Sequence, residues 1–207
     1  MFSFPPPFFM NLKQQTIDTY NATARAMALK FNDLGGRVED IERGFSYIAK
    51  EHPFVLEIGC GNGRDAIEIL KHTNHYLGID ISSSMIDIAR SVAPQGTFTV
   101  SDIDTYTFPK EIDLIFSFAS LLHSDPSSLK KILERAAHAL NPQGIFYISL
   151  KYGEGLHTKT DEFGTRSYYF YTPDAIKKLA EDAYEVVWED VQDFRGQKWF
   201  MIVLRKK

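Results

Sequence analysis

The sequence predicts an α/β fold, a doubly wound open sheet that is mostly parallel, with helices on both faces. Three observations lead there. Between residues 54 and 150, short apolar runs alternate with helix-period segments, and that alternation implies a parallel sheet covered on both sides. The first run, Phe54-Val55-Leu56-Glu57-Ile58, is almost continuously apolar, as in a strand buried on both faces. Near the end of the chain, only residues 192–197 separate two further strand signals, too few for a helical crossover, so this last pair is antiparallel. A length of 207 residues fits one domain with one sizeable core.

Residues 11–31 set Ile17, Tyr20, Ala24, Met27, Ala28 and Phe31 largely on one helical stripe, and Asn32-Asp33-Leu34-Gly35-Gly36 breaks it. Residues 38–50 read as a second helix, weakened by Gly44. After the strand at 54–58 come a helix over 64–72 and a strand over 76–79 that ends at Asp80. Ser82, Ser83 and Ser84 offer caps for the helix that continues over 85–91. Strands follow at 97–100 and 112–117, then a turn at Leu121-Leu122-His123. Asp125-Pro126 is a cap followed by proline at the first helical position, opening a helix to about residue 140. Asn141-Pro142-Gln143-Gly144 stops it before a strand at 145–150. Residues 151–171, rich in Gly, Tyr and charge, read as a long loop, and loops of that length are usually functional or mobile. Thr172-Pro173 caps a helix to about 182, and the antiparallel strands at 184–191 and 198–204 follow. The first nine residues, MFSFPPPFF, carry three prolines that a helical signal core does not tolerate, with no basic residue ahead of them. Residues 1–10 are therefore expected to be a disordered arm, or an overlong start with Met10 the true initiator.

A net charge of −4 without a Lys/Arg run argues against a nucleic-acid surface. No later segment is long and apolar enough to span a bilayer as a helix. The lone cysteine, Cys60, excludes an internal disulfide and a multi-cysteine metal site, and fits a cytoplasmic protein. No metal is expected.

The chemistry concentrates in Val55-Leu56-Glu57-Ile58-Gly59-Cys60-Gly61-Asn62-Gly63-Arg64-Asp65-Ala66. Alternating glycines after a strand suggest a cofactor loop, because they let backbone approach a ligand closely. A dinucleotide fingerprint needs its third glycine three residues after the second, and Arg64 stands there; no Gly-Lys-Ser/Thr follows for a phosphate-binding P-loop. Glu57, at the strand's carboxyl end, faces the ligand crevice of an open α/β sheet on this reading. A carboxylate there repels a pyrophosphate and suits a cationic cofactor without phosphate. The cofactor's own carboxylate suits the helix N-terminus beyond the glycines.

These residues resemble motif I of the class I S-adenosylmethionine-dependent methyltransferases. Gly78-Ile79-Asp80-Ile81-Ser82-Ser83-Ser84-Met85 resembles the family's second-strand segment, Asp113-Leu114-Ile115-Phe116-Ser117 its fourth-strand motif, and Leu140-Asn141-Pro142-Gln143-Gly144-Ile145 the turn before its fifth strand. The resemblance covers about residues 54–151, with the motifs in order. It implies a Rossmann-like seven-stranded sheet of order 3-2-1-4-5-7-6 with strand 7 antiparallel, and S-adenosylmethionine as cofactor. It divides the chain into a helical cap (11–50), a cofactor core (54–151), a segment covering the acceptor (151–171) and a closing helix and strand pair (172–207).

Residue by residue, the resemblance implies that Glu57, Gly59, Gly61 and Gly63 shape the cofactor loop. Asp80, beside Ile81, binds the ribose diol, its alternative being a helix cap. Asp102 accepts the adenine amino group with Ile103 flanking the ring, or Asp104 stands in its place. Ser117 and Phe118 line the methionine portion, unless Phe118 is core. Tyr20 folds over the cofactor or simply packs, and Arg64 reaches the cofactor carboxylate or a surface acid. His123 is the candidate base, or a helix-start histidine bonded to backbone. Tyr152, Glu154, Arg166 and Tyr169 are candidate acceptor contacts, the tyrosines as rigid amphipathic surface. Cys60 reads as a small buried side chain. The expected reaction is in-line methyl transfer to a small-molecule acceptor. A protein or peptide acceptor, or a cofactor-binding regulator without turnover, are the rival readings; a nicotinamide dehydrogenase is opposed by Glu57. Acceptor identity, the methylated atom and oligomeric state are not encoded in these motifs.

Overall fold

The computed structural model describes residues 12–207, so the expectations for residues 1–10 lie outside the described residues. Two helices, α1 (Leu12–Asp33) and α2 (Val38–Ser46), precede the sheet. Then follow β1 (Val55–Ile58), α3 (Ala66–Ile69), β2 (Tyr76–Asp80), α4 (Ser83–Val92), β3 (Thr97–Val100) and β4 (Ile112–Phe118). A 3-10 turn (Leu121–His123), α5 (Pro126–Ala139) and β5 (Leu140–Lys151) come next. The chain continues through β6 (Gly155–Asp161), β7 (Gly164–Phe170), α6 (Pro173–Ala180), β8 (Tyr184–Phe194) and β9 (Gln197–Lys206). The main sheet runs β3-β2-β1-β4-β5-β9-β8. Strands β1 to β5 are parallel, and β9 is antiparallel to both β5 and β8. With β8 and β9 as its sixth and seventh strands, this is the order the resemblance implies.

Strand alternation sorts the core into two layers. Val55, Leu114, Phe116, Ile145 and Tyr147 point to the side covered by α2, α3 and α4. Leu56, Ile58, Ile115, Phe146 and Ile148 point to the side covered by α5 and α6. The caps act as predicted. Ser82 Oγ accepts from Met85 N–H, Asp125 from Ser127 and Ser128 N–H, and Thr172 Oγ1 from Ala175 N–H.

Three segments differ from expectation. The helix expected over 64–72 is a single turn, because past Leu70 the hydrogen bonds tighten to Lys71 N–Glu68 O and His72 N–Ile69 O. α2 stops at Ser46 by the same tightening, with Tyr47 N–H on Gly44 O. Gly44 belongs there, since a Cβ would stand 2.5 Å from the Phe116 ring. The loop expected over 151–171 is a hairpin, β6 paired antiparallel to β7 from Gly155–Phe170 to Asp161–Gly164. It lies on α1: Thr19 Oγ1 donates to Thr165 O, and Ser167 N–H donates to Thr16 Oγ1.

Two motif glycines are needed for packing. Gly59 (φ +71°) lies against Ser120, and Gly63 (φ +78°) would set a Cβ 2.9 Å from Ala89 Cα on α4. Gly63→Ala combines a left-handed backbone with a clash against main chain. It is expected to lower unfolding free energy by about 1–3 kcal/mol in urea denaturation.

Candidate active site

The carboxyl ends of the parallel strands open into a cavity of 780 Å³. Sheet order gives it two ends. Asp80, Ile81, Asp102 and Ile103 stand at the β2–β3 side; Phe118, Trp199 and Met201 stand at the β4–β9 side. α1 and the β6–β7 hairpin form the roof.

The glycine loop turns most of its N–H groups inward. Gly59 and Cys60 N–H donate to Ile79 O, and Gly63 N–H to Cys60 O. Gly61 N–H donates to Asp80 Oδ2 at 3.0 Å, while Ser82 N–H holds Asp80 Oδ1 at 2.8 Å. Burial pushes the Asp80 carboxyl above its usual range, and the N–H groups of Ser82 and Gly61 pull it back. Gly61 itself (φ +52°) has open space where a Cβ would be, so the cavity reaches the backbone there.

Asp102 and Asp104 both line the cavity, and Lys13 from α1 bridges them. Arg64 lines it too, forked onto Asp65 through Nε at 3.0 Å and Nη2 at 2.6 Å, with Nη1 on Phe31 O. Arg64 thus pairs with a buried acid, not a surface one, while still lining the cavity.

Tyr20 and His123 meet in the wall, Tyr20 oxygen 3.2 Å from His123 Nε2. His123 Nδ1 lies 2.8 Å from Ser167 O. A carbonyl only accepts, so Nδ1 carries the proton and Nε2 accepts from the Tyr20 hydroxyl. Burial lowers the imidazole to about 4, and Lys151 and Arg166 add to the shift against the Ser167 contact. Burial raises the Tyr20 phenol, which stays protonated. The ring is therefore a neutral base at neutral pH.

Several sequence-predicted residues lie elsewhere. Glu57 is 2% exposed and absent from the cavity wall. It shares the face of Val55, toward the α2–α4 layer, where the Tyr76 hydroxyl donates to it at 2.6 Å. Burial, with Asp65 nearby, raises its carboxyl well above the usual range. Ser117 is fully buried beneath the sheet and does not reach the cavity, whereas Phe118 does. Gly63 packs on α4 instead of lining it. Of the four acceptor candidates only Tyr169 lines the cavity. Arg166 is buried with both carboxylate oxygens of Asp161 at 2.6 Å, Glu154 points into solvent, and Tyr152 makes an isolated bridge with Tyr171 outside the wall. Sequence reasoning missed Asp65 as a wall residue and Arg37 altogether. Gly35-Gly36 just before Arg37, taken as a helix break, was the one signal that backbone approaches the site there.

A family model described as a methyltransferase domain matches residues 55–144. Phosphoethanolamine N-methyltransferase 1 of Zea mays is 32% identical over 167 residues, covering 74% of this chain and 31% of the relative. The matched stretches span 26–38% of the length of such curated relatives. Among solved structures, a Burkholderia thailandensis 1,6-didemethyltoxoflavin-N1-methyltransferase, with its substrate and S-adenosylhomocysteine bound, superposes with a TM-score of 0.78. Its identity is 16%, and the match covers 100% of this chain and 93% of that one. A Methanosarcina mazei S-adenosylmethionine-dependent methyltransferase gives 0.68 at 20% identity, covering 78% and 95%. Fold and motif order define a cofactor-binding α/β enzyme class. The chain belongs to the class I S-adenosylmethionine-dependent methyltransferases, and S-adenosylmethionine is its cofactor. The residues present fit that group: a strand-end carboxylate in the wall at Asp80, open backbone at Gly61, and Ile81 and Ile103 as apolar flanks.

Two measurements check this geometry. By calorimetry, Asp80→Ala should weaken S-adenosylhomocysteine binding at least about tenfold, as loss of a charged acceptor does, while Glu57→Gln changes it less than about threefold. A large loss in Glu57→Gln returns that carboxylate to the ligand. Second, the folded chain resists protonating His123, whereas the unfolded chain protonates it near 6.5. Stability should fall as pH drops from about 6.5 toward 4, by at most about 3 kcal/mol. His123→Gln should flatten that part of the pH-stability curve.

Proposed function

We propose that the protein transfers the methyl group of S-adenosylmethionine to a small-molecule acceptor by in-line displacement. The observation that supports a small acceptor is the roof. α1 and the β6–β7 hairpin close over the cavity through the Thr16, Thr19 and Tyr20 contacts. The cavity's 780 Å³ lies within the roughly 300–1,000 Å³ of small-molecule sites. In this reading Asp80 holds the ribose diol, Asp102 the adenine amino group, and Ile81 and Ile103 flank the ring, with Lys13 released from Asp102. The glycine loop, with Arg64 and Asp65 behind it, borders the amino-acid portion. The bound cofactor supplies an electrophilic methyl on sulfonium, so the chain's main work is alignment and exclusion of water. Location in the cytoplasm is proposed on the single, buried, free Cys60.

His123 with Tyr20 is assigned the proton. An acceptor hydroxyl or amine reaching Tyr20 passes its proton to the phenol oxygen as the phenol proton moves to His123 Nε2. The Ser167 carbonyl holds the imidazole in the tautomer this needs.

Labelled S-adenosylmethionine with a metabolite extract should put label into small molecules; label confined to protein overturns the reading. Once an acceptor is known, Tyr20→Phe and His123→Gln should each lower kcat about 100-fold or more, with cofactor affinity nearly unchanged in His123→Gln. The wild-type kcat should stay level from about pH 5.5 to 8, because the imidazole protonates only near 4. An acid limb near 6.5 contradicts the lowered value of the buried imidazole, and a wild-type kcat in His123→Gln removes His123 from this role.

A further inference from the structure

Among the described residues, three permanent cations line the cavity: Lys13, Arg37 and Arg64. Two are closely matched, Lys13 by Asp102 and Asp104, and Arg64 by Asp65. Arg37 is not. Its Nη1 lies 3.4 Å from Asp40 Oδ2 and 3.5 Å from Ser149 Oγ, both at the long limit of a hydrogen bond. Its Nε is buried without a partner, and the side chain keeps 26% of its surface exposed. Asp40 turns its other oxygen to the Tyr147 hydroxyl at 2.7 Å, which divides its charge. Asp65 accepts from the Arg37 backbone N–H but spends its charge on the Arg64 fork, and Glu39 is exposed and screened by water.

The position is as informative as the charge. Arg37 is the N-cap of α2 and makes no side-chain cap bond to that helix. Beyond its long contact to Asp40 on α2, the guanidinium crosses the Phe118 ring at 5.2 Å and extends toward the end of β5. Phe118, Trp199 and Met201 line the same end, and Phe194 stands half-exposed at its mouth. A guanidinium fork beside flat apolar walls matches a planar oxyanion on a flat body.

We propose that Arg37 is the acceptor's anchor, and that the acceptor is a flat, conjugated molecule carrying a carboxylate. The carboxylate docks on Arg37 at the β4–β9 end, the conjugated body lies among Phe118, Trp199 and Met201, and the atom to be methylated points back toward Tyr20. The assignment rests on the methyl-transfer reading.

The test uses the full chain loaded with S-adenosylhomocysteine and a panel of hydroxy- and amino-substituted aromatic carboxylates, each beside its carboxamide. Affinities are read by saturation-transfer NMR and calorimetry. At least one carboxylate should bind tenfold or more tighter than its carboxamide. Arg37→Gln should abolish that preference with S-adenosylhomocysteine affinity retained, and Arg37→Lys should keep part of it. Equal binding of every pair by the wild type, a comparison that needs no variant, overturns the proposal, as does a preference that survives Arg37→Gln. Failure of the wild type to bind S-adenosylhomocysteine overturns the methyl-transfer reading and this assignment with it.

Discussion

The buried Arg64–Asp65 pair is the interaction on which the rest of the site depends. Both residues follow the glycine turn, and they are adjacent, so the pair costs little loop entropy to assemble. Each then reaches beyond the other. Arg64 Nη1 donates to Phe31 O in the last turn of α1, which also accepts from Leu34 N–H, and Asp65 Oδ1 accepts from the backbone N–H of Arg37 at the start of α2. One ion pair thereby ties the cofactor loop to the end of one cap helix and the start of the next. With side chains 17% and 7% exposed, neither charge is stable there alone, since removing one partner leaves the other desolvated. The positions of Tyr20 upstream and Arg37 downstream follow from this junction.

Three consecutive residues of α1 carry that constraint to three elements. Thr19 bonds the hairpin, Tyr20 bonds His123, and Asn21 Oδ1 accepts from Ser82 Oγ at the start of α4. Neighbours on an α-helix point about 100° apart. A single turn of α1 can therefore touch the roof, the base and the β2–α4 turn at once. Ala24, Met27 and Met85 form a small separate core beneath, so the roof has packing of its own. Lys13, one end further, bridges the two acids at the β3 side. The cap is thus a continuous part of the cavity.

Caps and the glycine loop were legible in the sequence because each is encoded locally, whereas the sheet order came only with the family resemblance. A cap needs its residue within three positions of the N–H it bonds, and a left-handed turn needs glycine where it occurs. The hairpin was not legible, because nearly every β6 residue is exposed and nothing alternates. Arg37 and Lys13 gave no signal of their own in the sequence, because what they touch lies far along the chain: Ser149 is 112 positions from Arg37, and Asp102 is 89 from Lys13. Ser117 fails for a local reason that was available. Leu114 and Phe116 share the α2–α4 layer with Phe118, and Ile115 lies in the opposite layer, so parity places Ser117 with Ile115 and away from Phe118. Glu57 lies in the other layer, with Val55 and Phe118, and misses the cavity for a different reason: it is held inside that layer by the Tyr76 hydroxyl.

A dinucleotide was opposed first by the glycine spacing, with Arg64 in the third-glycine position, and then by Glu57; with Glu57 buried off the cavity, the backbone around Asp80 takes the place of that second ground. A pyrophosphate at a glycine turn needs outward N–H donors. Here Gly59 and Cys60 donate to Ile79, Gly63 to Cys60, and Gly61 to Asp80. Of those four amides, the one nearest the open cavity is already satisfied by a carboxylate, so the loop presents an acid where a phosphate would sit. Asp80 therefore does two things at once. It consumes the donor that a phosphate requires, and it leaves its own lone pairs at the mouth for hydroxyl donors. A neutral Glu57 in the layer below, held by Tyr76, keeps a second negative charge from opposing Asp80. The wiring of the loop thus turns a carboxylate toward the cavity at Asp80, while the glutamate of the motif stays inside the core on Tyr76.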